Sequence, residues 1–133
     1  MIFIDSNIPM YLVGADHPHK NEARIALERC IVEQTRLVSS AEVIQEIIHR
    51  FVSINRRDAI QPTIDALYSV VDEIFPITED DVLEAKDLVL SYTKLSSRDA
   101  LHIATMRSNG VPTIMTFDTG FDIVPKIRRV PSA

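Results

Sequence analysis

Of the 19 acidic residues in this 133-residue chain, four stand where distant segments could bring carboxylates to one place. Asp5 closes the apolar run MIFI, Glu46 lies one helical turn into AEVIQEI, Asp99 sits in SSRDALHIAT, and Asp118 comes two residues after Thr116 in MTFDTGFD. Carboxylates held close together repel one another, and the usual compensation is a divalent cation. Hard oxygen ligands suit Mg²⁺ or Mn²⁺, which keep coordination positions free for phosphate and water. A bound ion of this kind activates water and neutralises charge as a phosphodiester bond breaks. Asp122, four residues beyond Asp118, is a further candidate ligand.

Each acid also has a plainer use. Asp5 could accept backbone hydrogen bonds in the turn before Ile8-Pro9, and Asp118 could cap a turn with Thr119-Gly120. Asp99 would be the N3 acid of a capping box opened by Ser96, and Glu42 the same if Ser39 is the cap. Glu46 is too far into its helix for capping, and its neighbours Ile44, Ile47 and Ile48 half-bury it, so it calls for a partner. Other chemistries have less support. The three glycines are isolated at 14, 110 and 120, which leaves no phosphate-gripping loop. No G-x-S-x-G elbow occurs. Cys30 is the single cysteine, so it forms no internal disulfide and is expected in the core. His17 and His19 lack a third ligand at zinc-site spacing and read as an exposed segment before a helix. His49 should face solvent beside Arg50, and His102, one turn after Asp99, should pack against the sheet or assist the site.

Short β-like runs alternate with helical ones. Strands are predicted at Ile2 to Ile4, Leu37-Val38, Thr113 to Thr116 and Ile127 to Val130, with a short one between Glu73 and Ile77 ended by Pro76. Helices are expected over His19 to Glu33, after Ser39-Ser40-Ala41-Glu42, over Ala59 to Val70, after Thr78, and from Ser96 to near Asn109-Gly110. Pro9 and Gly14 punctuate the segment after the first strand. Strands interleaved with helices imply an α/β fold with a parallel sheet covered on both faces, where ligands collect at the carboxyl ends of strands.

Composition fits one soluble globular unit: 46% hydrophobic and 25% charged residues, with no apolar run near the roughly eighteen residues of a membrane span. Without a basic, cleavable leader, a cytoplasmic address is expected. Net charge is −5, but Asp72 to Asp87 alone carries seven acids against Lys86, leaving the rest at +1. With several remaining acids drawn round a cation, nearby surface can be basic enough for nucleic acid.

MIFIDSN, SSAEVIQEI, SSRDALHIAT and MTFDTGFD, in this order, resemble the PIN-domain ribonucleases, specifically the VapC-type toxins of prokaryotic toxin–antitoxin pairs. The resemblance runs through nearly the whole chain. It implies a three-layer α/β/α sandwich with a central, mostly parallel sheet, formed as a single domain over residues 1–133. It further implies an acidic centre of Asp5, Glu46, Asp99 and Asp118, with Asp122 as an outer or second-metal contributor and Ser6 and Thr116 as polar companions. Alignment on Ser40 favours Glu46 over Glu42, and Phe121 becomes a packing residue. Also implied are Mg²⁺- or Mn²⁺-dependent endoribonuclease activity on an RNA substrate, a homodimer, and a cognate antitoxin protein. Ile47, Ile48 and Phe51, with the following helix, offer a candidate contact surface. Two other readings remain at this point: a catalytically silent PIN-like module binding RNA or protein, and a metal-dependent phosphatase, for which Asp5-Ser6-Asn7 lacks the second Asp of a D-x-D pair.

Overall fold

The computed structural model describes residues 1–131. Five short strands form one sheet: β1 (Ile2–Ile4), β2 (Leu37–Ser40), β3 (Glu73–Phe75), β4 (Thr113–Met115) and β5 (Arg128–Val130). Their order is β3-β2-β1-β4-β5, and every neighbouring pair is parallel. Six helices flank the sheet: α1 (Asn7–Val13), α2 (Pro18–Val32), α3 (Ala41–Ser53), α4 (Ile60–Val70), α5 (Glu79–Ser91) and α6 (Ser97–Ser108). They pack in two groups, α5 against α6, and α1 against α2 and α4 with α3 beside α4. The alternating pattern in the sequence thus yields the α/β sandwich it predicts.

Burial of the central strands on both sides explains their unbroken apolar runs. Phe3, Ile4, Val38 and Ile114 are fully buried, and each such side chain contributes about 1.5–3 kcal/mol. Because β2 lies on one side of β1 and β4 on the other, the chain direction across the sheet reverses at β1/β4. A crevice opens at the carboxyl ends of strands where such a reversal occurs. Asp5 leaves β1 there, and Thr116 leaves β4 beside it.

Four local expectations are corrected. The segment punctuated by Pro9 is the helix α1, because Pro9 falls in its first turn, where no intrahelical N–H donation is lost. Ser40, not Ser39, caps α3: its Oγ accepts the Val43 N–H at 3.3 Å. Ser39 belongs to β2 and donates to the Ile4 carbonyl at 2.8 Å, so Glu42 is the second residue of the helix and not the acid of a capping box. Residues Arg57–Ala59 form a separate 3₁₀ turn before α4. Ile47 is fully buried and packs into the core, which removes it from the candidate contact surface, while Ile48 and Phe51 are half-buried. No helix among the described residues is long and apolar enough to cross a membrane.

Candidate metal centre

The inner part of the crevice is built around Asp5. Its backbone N–H donates to the Met115 carbonyl at 3.1 Å, carrying the β1–β4 ladder one residue further and fixing the carboxylate at the sheet edge. Oδ1 accepts the Ser6 N–H at 2.7 Å, and Oδ2 accepts the Thr116 hydroxyl at 2.8 Å. The Thr116 oxygen in turn accepts from Asn7 Nδ2 at 2.9 Å and from the Asp118 N–H at 3.0 Å. Thr116 thus meets Asp5 through its hydroxyl and Ser6 through its backbone N–H.

Glu46 projects from α3 and is paired with Nε2 of His102. The same nitrogen lies 3.6 Å from Asp5 Oδ1, and the side chains of all three are largely shielded from water. Asp5, Glu46 and His102 each offer an atom within 4.8 Å of the others'. His102 reaches this place because α6 is buried along most of its length, with Ala100, Ile103, Ala104, Thr105 and Met106 also inside. Its ring centroid is 5.5 Å from that of Phe3. Phe121, fully buried, packs on the same side with its ring 6.3 Å from the imidazole.

Asp99 and Asp118 form the outer part. The Asp99 N–H donates to Ser96 Oγ at 3.1 Å, which is one half of a capping box. The reciprocal half is absent among the hydrogen bonds of the described residues, and the Asp99 carboxyl instead lies beside that of Asp118, both of them against Gly120. Asp118 is held by the Gly120 N–H, which donates to its Oδ1 at 2.8 Å. Gly120 also makes room: a Cβ there would stand 2.8 Å from Asp99 Oδ2 and 3.1 Å from Asp118 Oδ1. Asp122 lies elsewhere, with its two oxygens against the Arg129 guanidinium at 3.0 and 3.2 Å. Glu42 lines a small cleft with Gln45, Glu46, His49 and Arg98, next to the group and not in it.

The electrostatics follow from burial and crowding. Asp5 is raised above the ordinary carboxyl range by burial, reinforced by Glu46 and opposed by His102 and by the Thr116 and Ser6 hydrogen bonds. Asp99 is pushed up to about 7, first by burial and then by the charges of Asp118 and Asp5. Burial alone would lower His102, but its hydrogen bond to Glu46 and the nearby charges of Asp5, Glu46 and Asp99 outweigh it and raise the imidazole to about 9. A protonated His102 therefore shares a site with several carboxylates.

This donor set fits a hard divalent cation. Asp5 and Glu46 offer carboxylate oxygens beside His102, Asp99 and Asp118 offer more beside Gly120, and a cation would offset the burial and like charge that raise Asp5 and Asp99. His102 is the functional residue that sequence reasoning placed least well. The available signal was its position three residues after Asp99, which puts both on one helix face.

The PIN domain family matches residues 2–127. Ribonuclease VapC13 of Mycobacterium tuberculosis is 55% identical over 130 residues, which are 98% of this chain and 99% of that protein. Among solved structures, Mycobacterium tuberculosis VapC20, described as a sarcin-ricin loop cleaving toxin, superposes with a TM-score of 0.70 at 22% identity, covering 92% of this chain and 93% of that one. A toxin–antitoxin complex from Klebsiella pneumoniae gives 0.67 at 20% identity, covering 98% and 96%. The last two likenesses show the fold.

Proposed function

Because the chain belongs to the PIN-domain family and resembles its VapC ribonucleases closely, we propose that it is an Mg²⁺- or Mn²⁺-dependent endoribonuclease, the toxin of a toxin–antitoxin pair. The observation that carries this reading is the meeting of Asp5, Glu46 and His102 within 4.8 Å, with the Asp99–Asp118 pair alongside, at the reversal point of the sheet.

Asp5, Glu46, Asp99 and Asp118 would hold the cation, and Asp122 would act from further out after leaving Arg129. The ion supplies water activation and charge neutralisation at the scissile phosphate. The remaining work falls to side chains of this chain. Thr116, through its hydroxyl, and Ser6, through its backbone N–H, hold the two oxygens of the Asp5 carboxylate. His102 holds Glu46 in place through Nε2. Arg98 and His49, exposed on the Glu46 side, are placed to meet the phosphates of a bound RNA strand. With water as nucleophile the products carry 5′-phosphate and 3′-hydroxyl ends.

The test is incubation of purified protein with structured RNA, with and without Mn²⁺, followed by mapping of both product ends. Cleavage that requires Mn²⁺ and leaves 5′-phosphates supports the reading. A 2′,3′-cyclic phosphate, which reports attack by the RNA's own 2′-hydroxyl, or full activity in EDTA, overturns it. Partners follow from the same reading: a homodimer, and an antitoxin protein of the kind found in the Klebsiella complex. Co-purification of a small protein encoded beside this one, and sedimentation above 15.0 kDa for the chain alone, are the expected results.

A further inference from the structure

Four rings meet at the mouth of the crevice, outside the acidic group. Tyr11 comes from α1, His17 and His19 from the start of α2, and Phe117 from the residue pair just after β4. His19 and Phe117 are stacked face to face, with centroids 4.0 Å apart and planes 10° from parallel. Tyr11 stands edge-on to both, at 5.1 and 5.5 Å, and His17 is 4.9 Å from Tyr11 and from His19. The cluster gathers two of the four histidines and two of the eight Phe and Tyr residues of the chain.

Three features separate it from ordinary core packing. Tyr11, His19 and Phe117 are only half-buried and His17 is exposed, so part of each ring stays in water although Phe117 also packs against the core, in contrast to the fully buried Phe3 and Phe121. The cluster is also tied to the acids. Phe117 lies between Thr116, which donates to Asp5, and Asp118, whose carboxylate shares the space beside Gly120 with that of Asp99. Its N–H donates to Asn7 Oδ1 at 3.4 Å, and Asn7 Nδ2 donates to Thr116, so the ring's backbone and the Asp5 carboxylate belong to one hydrogen-bonded unit. Finally, an open cleft of about 620 Å³ adjoins the rings through His17 and continues past Pro18, Leu12 and Lys20.

We propose that this ring cluster, with Phe117 and His19 at its centre, is a base-stacking platform that takes an unpaired nucleobase of the RNA next to the bond being cut. The inference rests on the ribonuclease reading and extends it to the substrate: a single-stranded or loop segment, with one base splayed onto the rings. Unstacked bases are recognised by stacking on Phe, Tyr and His side chains, and a flat ring surface accepts any base, which makes the platform a selector of unpaired structure more than of sequence. Removing base–aromatic stacking weakens binding by about 5- to 100-fold per base.

The test uses unstructured RNA oligonucleotides carrying one 2-aminopurine at successive positions, bound to the Asp99→Asn protein so that cleavage does not deplete them. The chain has no Trp, so the base's fluorescence is read without interference. Strong quenching at one position, adjacent to the bond that the unmodified protein cuts, is expected. Phe117→Leu in the same background should abolish that quenching and weaken binding about 5- to 100-fold, while Phe117→Tyr restores both. His19→Ala, at a side chain already 35% exposed, provides a second variant in which folding is not at stake and should act in the same direction. Uniform fluorescence at every position, or affinity unchanged in both Phe117→Leu and His19→Ala, overturns the platform. The two readings fail separately: cleavage without position-specific quenching defeats the platform alone, whereas quenching on a protein that never cuts RNA supports the platform and defeats the ribonuclease.

Discussion

The inner and outer parts of the acidic crevice handle the same problem differently. Inside, the repulsion between Asp5 and Glu46 is opposed by His102, which approaches both, and by hydrogen bonds to Asp5 from Ser6 and Thr116. Outside, Asp99 and Asp118 face each other with only backbone and capping support, and a proton on Asp99 is the available relief. The inner half thus has more compensation of its own than the outer half, although Asp5 is raised as well. A divalent ion has most to offer where compensation is weakest, so substitutions in the two halves should differ in how they divide between stability and activity.

The largest effect is expected at Asp99. Asp99→Asn should lower Mn²⁺-dependent cleavage on the order of 10²–10³-fold, the scale of losing one preorganised charge-stabilising group. The same substitution removes repulsion from Asp118 and Asp5, so unfolding measured in EDTA should show an apo fold as stable as the parent or more so. If Asp99 served only as a cap, apo stability would fall slightly and cleavage would persist.

Glu46→Gln should approach that loss of activity, because the amide gives the cation a neutral oxygen and weakens the pairing to His102. Glu42→Gln, in the first turn of α3, should instead cost about 1 kcal/mol or less through the helix dipole. Single-turnover cleavage by the two folded variants decides between them, and an active Glu46→Gln beside an inactive Glu42→Gln would exchange their roles.

Gly120→Ala sharpens the comparison from the other direction. Its Cβ would intrude first on Asp99 and Asp118. We expect cleavage to fall about 10-fold, in line with the cost of misplacing groups that orient a metal site, with little change in denaturation midpoint.

Titration separates the halves more gently. Asp99 binds its proton more tightly folded than at its ordinary 3.8, so metal-free stability should decline as pH rises from about 4 to 7. His102, raised from 6.5 to about 9, stabilises the fold fully below 6.5, and that contribution is lost as pH climbs through 9. Denaturation in EDTA across this range should show both declines, and Asp99→Asn should shrink the lower one, leaving the part due to Asp5, and draw the upper one to lower pH because the Asp99 charge helps raise His102. The smallest effect is expected from Asp122→Asn, which loses an exposed contact to Arg129 worth about 0.5–1 kcal/mol. A cleavage defect as deep as that of Asp99→Asn would bring Asp122 into the centre.

Much of this arrangement is legible in the sequence, and the failures have physical causes. Apolar runs bounded by acids locate β1 and β4 because strands buried on both faces carry continuous hydrophobic residues. Thr78 and Ser96 announce α5 and α6 by capping them. Pro9 hides α1 because the residue that usually breaks helices is harmless in a first turn. Ser39 and Ser40 are equivalent as letters, and only the ladder at the end of β2 decides which one caps. His102 has apolar sequence neighbours, and its partner Glu46 is 56 residues away, so pairing them required the fold. The ring cluster is hidden for the same reason, since Phe117 lies 98 residues after His19.

The most direct test of the central claim is anomalous scattering from crystals soaked in Mn²⁺. The account predicts a peak in the crevice bonded to carboxylate oxygens of Asp5 and Asp99, with Glu46 or Asp118 completing the protein ligands, and no such peak in Asp99→Asn crystals under the same soak. A saturated Mn²⁺ site away from these four residues, in a protein that still cuts RNA, would contradict it.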